Sequence, residues 1–164
     1  MTDDDLVAVA RGLLAAASGR GWTVAVAESL TGGAVCSALV DVPGASAVLR
    51  GGVVAYATDL KATLLGVDRE LLAQRGAVDP DVARAMAHGV RERLGADLGL
   101  ATTGVAGPEG QDGFPPGTVH VAVATAAGAR VRSLRLSGDR VQVRAGAVDA
   151  VLRLALEEAS RPTV

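Results

Sequence analysis

The chain has 164 residues, 49% hydrophobic, 21% charged and 2% aromatic, with a formal net charge of −2. That length supports a hydrophobic core without staples or metals, and the balance is that of a globular chain, not a disordered one. It argues against a nucleic-acid binder, which normally carries a Lys/Arg excess and stacking aromatics, while a single cysteine, Cys36, excludes an internal disulfide and a multi-cysteine metal site.

The apolar runs are short and broken by Arg, Asp or Gly, so a membrane span is not expected. The N-terminus reads Met-Thr-Asp-Asp-Asp, acidic where a signal peptide starts basic, and a cytoplasmic location is the expectation. Of the 16 basic residues, one is a lysine, Lys61, and the rest are arginines. A guanidinium cannot act as a base near neutral pH, whereas an amine can. Lys61 is therefore either a chance surface lysine or one kept for its chemistry.

In chain order, Thr2 or a following Asp caps a first helix. Leu6, Val9, Ala10, Leu13, Leu14 and Ala17 recur along it at helical spacing, and Gly19 and Gly21 stop it. Residues 23–27 form a short buried strand. A helix then begins near Thr31 and runs to Val40, before Pro43-Gly44 breaks it. Residues 51–57 form a second strand. Asp59 caps a short helix that Gly66 ends, and another short helix covers residues 69–74. Asp79-Pro80 is a helix start signal, an acid at the cap and Pro at the first position. That helix ends at Gly95. Residues 97–103 form a third strand and run into a long Gly/Pro-rich loop to Gly117, a length that often marks function. Residues 118–125 and 131–136 pair as an antiparallel hairpin. Ser137-Gly-Asp139 opens the last helix. Helices alternating with five strands predict a three-layer α/β/α fold built as one domain over residues 1–164.

Three features lie where strands end. In Ala27-Glu28-Ser29-Leu30-Thr31-Gly32-Gly33 a strand turns into a helix, which places Ser29 near free helix-start N–H groups suited to an oxyanion or a phosphate. In the plainer reading, Ser29 or Thr31 is simply a helix cap. Tyr56-Ala-Thr-Asp-Leu-Lys61 holds the only Tyr and the only Lys. A partly desolvated Lys is a general base, and a serine hydroxyl needs one; the alternative is a solvated Lys and a core Tyr. Thr102-Thr103-Gly104-Val105-Ala106-Gly107-Pro108 has glycines that admit close approach of a ligand, yet it matches no P-loop or dinucleotide fingerprint. His88 and His120 lack carboxylates at metal-ligand spacing, so no metal is expected. Cys36 reads as a packing residue. Arg140 and Arg144, one helical turn apart, are either an anion site or a solvated face.

Together these motifs resemble one family, the C-terminal domain of competence/damage-inducible protein A (CinA), the bacterial nicotinamide mononucleotide deamidases. The matching stretches are Ala27-Glu-Ser-Leu-Thr-Gly-Gly33, Val42-Pro-Gly-Ala-Ser46, Gly51-Gly-Val-Val-Ala-Tyr56 and Lys61, then Leu65-Gly-Val67, Gly76-Ala-Val78, Thr103-Gly-Val-Ala-Gly-Pro108, Pro116-Gly-Thr-Val119 and Gly138-Asp-Arg140. The resemblance covers nearly the whole chain and implies an α/β/α fold with a mixed five-stranded sheet. The chain looks like the stand-alone form, without the molybdopterin-binding-like domain that often precedes this one.

The resemblance also implies hydrolysis of nicotinamide mononucleotide to nicotinate mononucleotide and ammonia, with no metal or organic cofactor. Ser29 would be the nucleophile, Lys61 its base and Tyr56 an orienting group. Glu28, Leu30, Thr31, Gly32 and Gly33 would form the oxyanion and substrate turn. Thr103, Gly104, Ala106, Gly107, Pro108 and Arg140 would take ribose and phosphate. Leu30 stands where the family commonly has Cys, and the loop from Glu109 to Pro116 departs from the usual Gly-Gly-Thr/Ser and Lys-Pro pattern. The partner expected is a small nucleotide, with no nucleic acid or membrane, in a homodimer or other homo-oligomer. The competing readings are a non-catalytic nucleotide-binding module and an amidase for another small amide.

Overall fold

The computed structural model describes residues 3–162. Its strands alternate large and small aliphatic residues, and that alternation sets the layers. β1 (Val24–Glu28) reads Val-Ala-Val-Ala, and β3 (Leu98–Gly104) opens Leu-Gly-Leu-Ala. In β4 (Thr118–Thr125), Val119, Val121 and Val123 alternate with His120, Ala122 and Ala124. A period of two sends the large side chains to one face and the small ones to the other.

The large face is covered by α1 (Asp3–Gly19), α2 (Ala34–Val40) and α6 (Arg140–Ala159). The small face is covered by α3 (Thr58–Leu65), α4 (Arg69–Arg75) and α5 (Pro80–Arg93). Small residues there let α5 lie against the backbone of the sheet: a Cβ on Gly99 would run into the Ala87 carbonyl oxygen. Two more strands, β2 (Leu49–Val54) and β5 (Gly128–Arg135), complete a sheet of order β2-β1-β3-β4-β5. β1 pairs parallel with β2 and β3, whereas β4 runs antiparallel to β3 and to β5. The mixed five-stranded sheet between two helical layers is the predicted architecture.

Most start and stop signals act where they were read. Asp79 accepts from the N–H groups of Asp81 and Val82, and Asp139 forms a capping box with Gln142. Four local readings are corrected, the first being the second strand, which covers Leu49–Val54 and not residues 51–57. α2 begins at Ala34 rather than near Thr31, because Gly32 and Gly33 take positive φ angles of 58° and 100° and hold the chain in a turn. Ala57, not Asp59, is the N-cap of α3; Asp59 sits in the first turn. The last strand starts at Gly128, earlier than the position read from its apolar pattern. The Thr2 cap lies outside the described residues. The long loop also holds a small hairpin: Gln111 and Phe114 exchange both backbone hydrogen bonds across Asp112-Gly113. Asp112 and Gly113 have φ of 52° and 81°, the left-handed geometry that an Asp-Gly hairpin turn requires.

Among the described residues no helix is long and apolar enough to cross a membrane. The chain leaves β1 toward β2 on one side and, after three helices, enters β3 on the other. The connections leaving the carboxyl ends of β1 and β3 therefore diverge, one toward β2 and the other toward β4, and such a switch point is where open α/β sheets place ligands.

Candidate active site

Ser29 follows directly on β1, and its N–H donates to the Thr102 carbonyl of β3 at 3.1 Å. Thr31 Oγ1 meets Thr102 Oγ1 at 2.8 Å, fully buried. From α6, Arg144 braces the same turn, donating to the carbonyls of Leu30 and Thr31 at 2.9 Å each. Five residues thus tie the turn to strand and helix.

Glu28 is fully buried, and its carboxylate accepts from the N–H groups of Gly33 at 3.0 Å, Val35 at 3.1 Å and Cys36 at 2.9 Å. These are the orphan donors of the start of α2, satisfied by an anion at the positive end of the helix. Two expectations change. The helix-start N–H groups face Glu28 and not a ligand, and Glu28 contacts the fold and not the cavity. Neither Ser29 nor Thr31 is the cap. The N–H of Leu30 finds no acceptor among the described residues, and Leu30 lines the cavity beside Ser29. Cys36 is a packing residue: its sulfur fills the space over Gly52, and burial together with Glu28 pushes its thiol up to about 12.

Lys61 reaches Ser29 from α3. Its amine has no exposed surface and lies 3.1 Å from Ser29 Oγ, 2.8 Å from the Ala55 carbonyl and 3.3 Å from the Tyr56 carbonyl. Burial pulls it down to about 8, against an opposing pull from Asp112. A neutral amine has two protons and one lone pair, and carbonyls only accept. With both protons on Ala55 and Tyr56, the lone pair is left for the Ser29 hydroxyl. The carbonyl pair thus orients the amine as a proton acceptor.

A cavity of about 190 Å³ opens above this pair, lined by Ser29, Leu30, Tyr56, Ala77, Val78, Glu109, Gly110, Gln111 and Arg140 together with residues 103–107. Arg140, from the first turn of α6, donates to the Gly107 carbonyl at 2.7 Å and to Tyr56 Oη at 3.1 Å. A fixed cation therefore closes one wall, with the exposed Tyr56 ring beside it. Thr103 Oγ1 donates to the Ala77 carbonyl at 2.7 Å, which joins β3 to the α4–α5 connection.

Of the residues singled out in the sequence, Ser29, Leu30, Tyr56, Thr103, Gly104, Ala106, Gly107 and Arg140 line the cavity, with Lys61 behind Ser29. Glu28, Thr31, Gly32, Gly33 and Pro108 do not line it. Sequence reasoning did not assign Ala77, Val78, Glu109, Gly110 and Gln111 to the site, nor Arg144 to its turn. The sequence signal for the first pair was Gly76-Ala-Val78, a breaker with an apolar pair just before the α5 cap.

Residues 7–159 match the family described as the CinA C-terminal domain. The chain belongs to this family. It is 55% identical over 152 residues to a CinA-like protein of Frankia casuarinae, covering 93% of this chain and 34% of that protein. With a CinA-like protein of Geobacter sulfurreducens the identity is 51% over 126 residues, 76% of this chain and 30% of the relative. The chain thus spans about a third of the length of the curated relatives it matches. Among solved structures, a competence/damage-inducible protein of Agrobacterium tumefaciens superposes with a TM-score of 0.91 at 34% identity, covering 98% of both chains. A competence damage-inducible protein A of Klebsiella pneumoniae gives 0.92 at 32% identity, over 96% of this chain and 99% of that one. The α/β fold is therefore that of CinA-superfamily proteins.

Proposed function

We propose that the chain is a serine/lysine amidohydrolase acting on the carboxamide of nicotinamide mononucleotide. The observation that carries the reading is the buried Lys61 amine 3.1 Å from Ser29 Oγ, at the floor of a cavity with a fixed cation. A binding module has no need of a nucleophile paired with a desolvated base.

In the reaction, Ser29 Oγ attacks the carboxamide carbon while its proton passes to Lys61 Nζ. The Leu30 N–H supports the oxyanion. Lys61 returns the proton to the amide nitrogen, the C–N bond breaks and ammonia leaves, with the nicotinoyl group esterified on Ser29. Lys61 then takes a proton from water, whose oxygen attacks the ester. As the intermediate collapses Lys61 hands that proton to Ser29 Oγ, so nicotinate mononucleotide departs and the Ser29 hydroxyl is restored. Arg140 and the Gly104 to Gly107 stretch hold the ribose and phosphate, and Tyr56 stands against the ring or ribose.

The test is ammonia release by the purified protein given nicotinamide mononucleotide. Turnover is expected in the wild type and none in Ser29→Ala, whose far-UV circular dichroism and melting should stay those of the wild type. Full activity in Ser29→Ala would rule out the covalent route, and no ammonia from the wild type would reject the substrate.

A further inference from the structure

The hairpin at Gln111–Phe114 places Asp112 at its tip, over the α4–α5 connection. Asp112 Oδ2 accepts from the Ala77 N–H at 3.2 Å. Gly76 makes room for it: with φ of 74°, a Cβ there would stand 2.9 Å from the same oxygen. The Ala77 carbonyl in turn accepts from Thr103 Oγ1 at 2.7 Å. Ala77 thus ties three segments of the cavity wall together, the end of β3, the α4–α5 connection and the Gly-rich loop. Among the described residues no other side-chain hydrogen bond holds the tip of the hairpin.

We propose that Asp112 is a positioning residue of this site, pinning the hairpin that carries Glu109, Gly110 and Gln111 to the cavity wall through the Ala77 N–H. The inference rests on the serine/lysine reading for its functional meaning. The other titratable groups around Lys61 are Asp59 on its own helix, Glu28 behind the Ser29 turn, Tyr56 and Arg140 across the cavity, Arg144 on the turn, Glu109 on the loop, Arg93 against the end of α3 and Asp79 at the start of α5. Among all of these it is Asp112 whose charge raises the Lys61 pKa, opposing burial. An aspartate at this tip therefore limits how far burial deprotonates the base, and it holds the wall next to the substrate.

Lys61 is the only lysine in the chain, so labelling with 13C-lysine gives one side-chain Cε signal to titrate. Asp112→Asn keeps an acceptor for the Ala77 N–H, suits the positive φ and removes the charge. In it the Lys61 midpoint is expected to move to lower pH, and the acid limb of the turnover profile to move with it. Asp112→Ala removes charge and acceptor together. It should show the same downward midpoint, and the Ala77 amide should exchange about fivefold faster, the scale of one lost hydrogen bond. An unmoved or raised midpoint in Asp112→Asn overturns the charge role. Unchanged Ala77 exchange in Asp112→Ala overturns the positioning role. The Lys61 titration and the Ala77 exchange need no substrate, so a protein that releases no ammonia would count against the amidase reading without touching this one.

Discussion

A lysine with no exposed surface is costly in its charged form, and Lys61 answers that cost by releasing its proton more readily. With its pKa near 8, only about a tenth of the amine is neutral at pH 7. Turnover is therefore expected to climb as pH rises through 8 and to level off above it. Lys61→Arg keeps the cation but cannot accept a proton, so it should lose on the order of 10²-fold or more in turnover, as Lys61→Ala does. A lysine that merely held phosphate would be rescued by arginine, with the damage in KM. Steady-state kinetics on both variants across pH decide it; Lys61→Arg retaining most turnover would remove the base assignment. A lone lysine among arginines was visible in the sequence. The Ala55 and Tyr56 carbonyls that aim it were not, because their direction depends on how the chain leaves β2.

At the level of elements, α2 shows how a local rule was satisfied from an unusual place. Helix starts are commonly capped by the residue at the N-cap, and the sequence offered Ser29 and Thr31. The cap position is Gly33, which has no side chain, and Glu28 supplies the acceptor from the end of the preceding strand. That geometry needs the two positive φ angles at Gly32 and Gly33 to fold the chain back over Glu28. Glu28→Ala should leave the Gly33, Val35 and Cys36 N–H groups buried without an acceptor. A loss on the order of 3 kcal/mol is expected from one or more such groups. Urea unfolding measures it, and a change within about 0.5 kcal/mol would show that water replaces the carboxylate.

For the whole molecule, the same buried amine links the site to global stability. The unfolded chain holds the Lys61 proton up to its ordinary value of 10.5, whereas the folded chain releases it near 8. Between those values the unfolded state binds more protons, so this contribution raises stability as pH climbs from 8 to 10.5 and is missing below 8. The full swing is about 3 kcal/mol. In Lys61→Met the swing disappears. The difference in unfolding free energy between wild type and Lys61→Met should therefore shift in favour of the wild type by about 2 kcal/mol or more between pH 7 and pH 10. A pH-independent difference would mean that the amine keeps its ordinary basicity in the folded chain.

The sequence by itself determined the layers and most element ends. Alternating Val/Leu with Ala/Gly, breakers such as Pro43-Gly44 and Asp79-Pro80, and the capping acids all act over a few residues, which is the range of backbone sterics and local hydrogen bonds. The tertiary structure alone decided the site. Ser29 and Lys61 are 32 positions apart, and Tyr56 and Arg140 are 84 apart. They meet because the parallel order of β2, β1 and β3 gathers three strand ends at one edge, where α6 returns across them. The retreat of Glu28 into a helix cap and the landing of Asp112 on Ala77 follow the same logic. Each depends on which backbone donors are left unpaired once the chain is folded, and that accounting exists only in three dimensions.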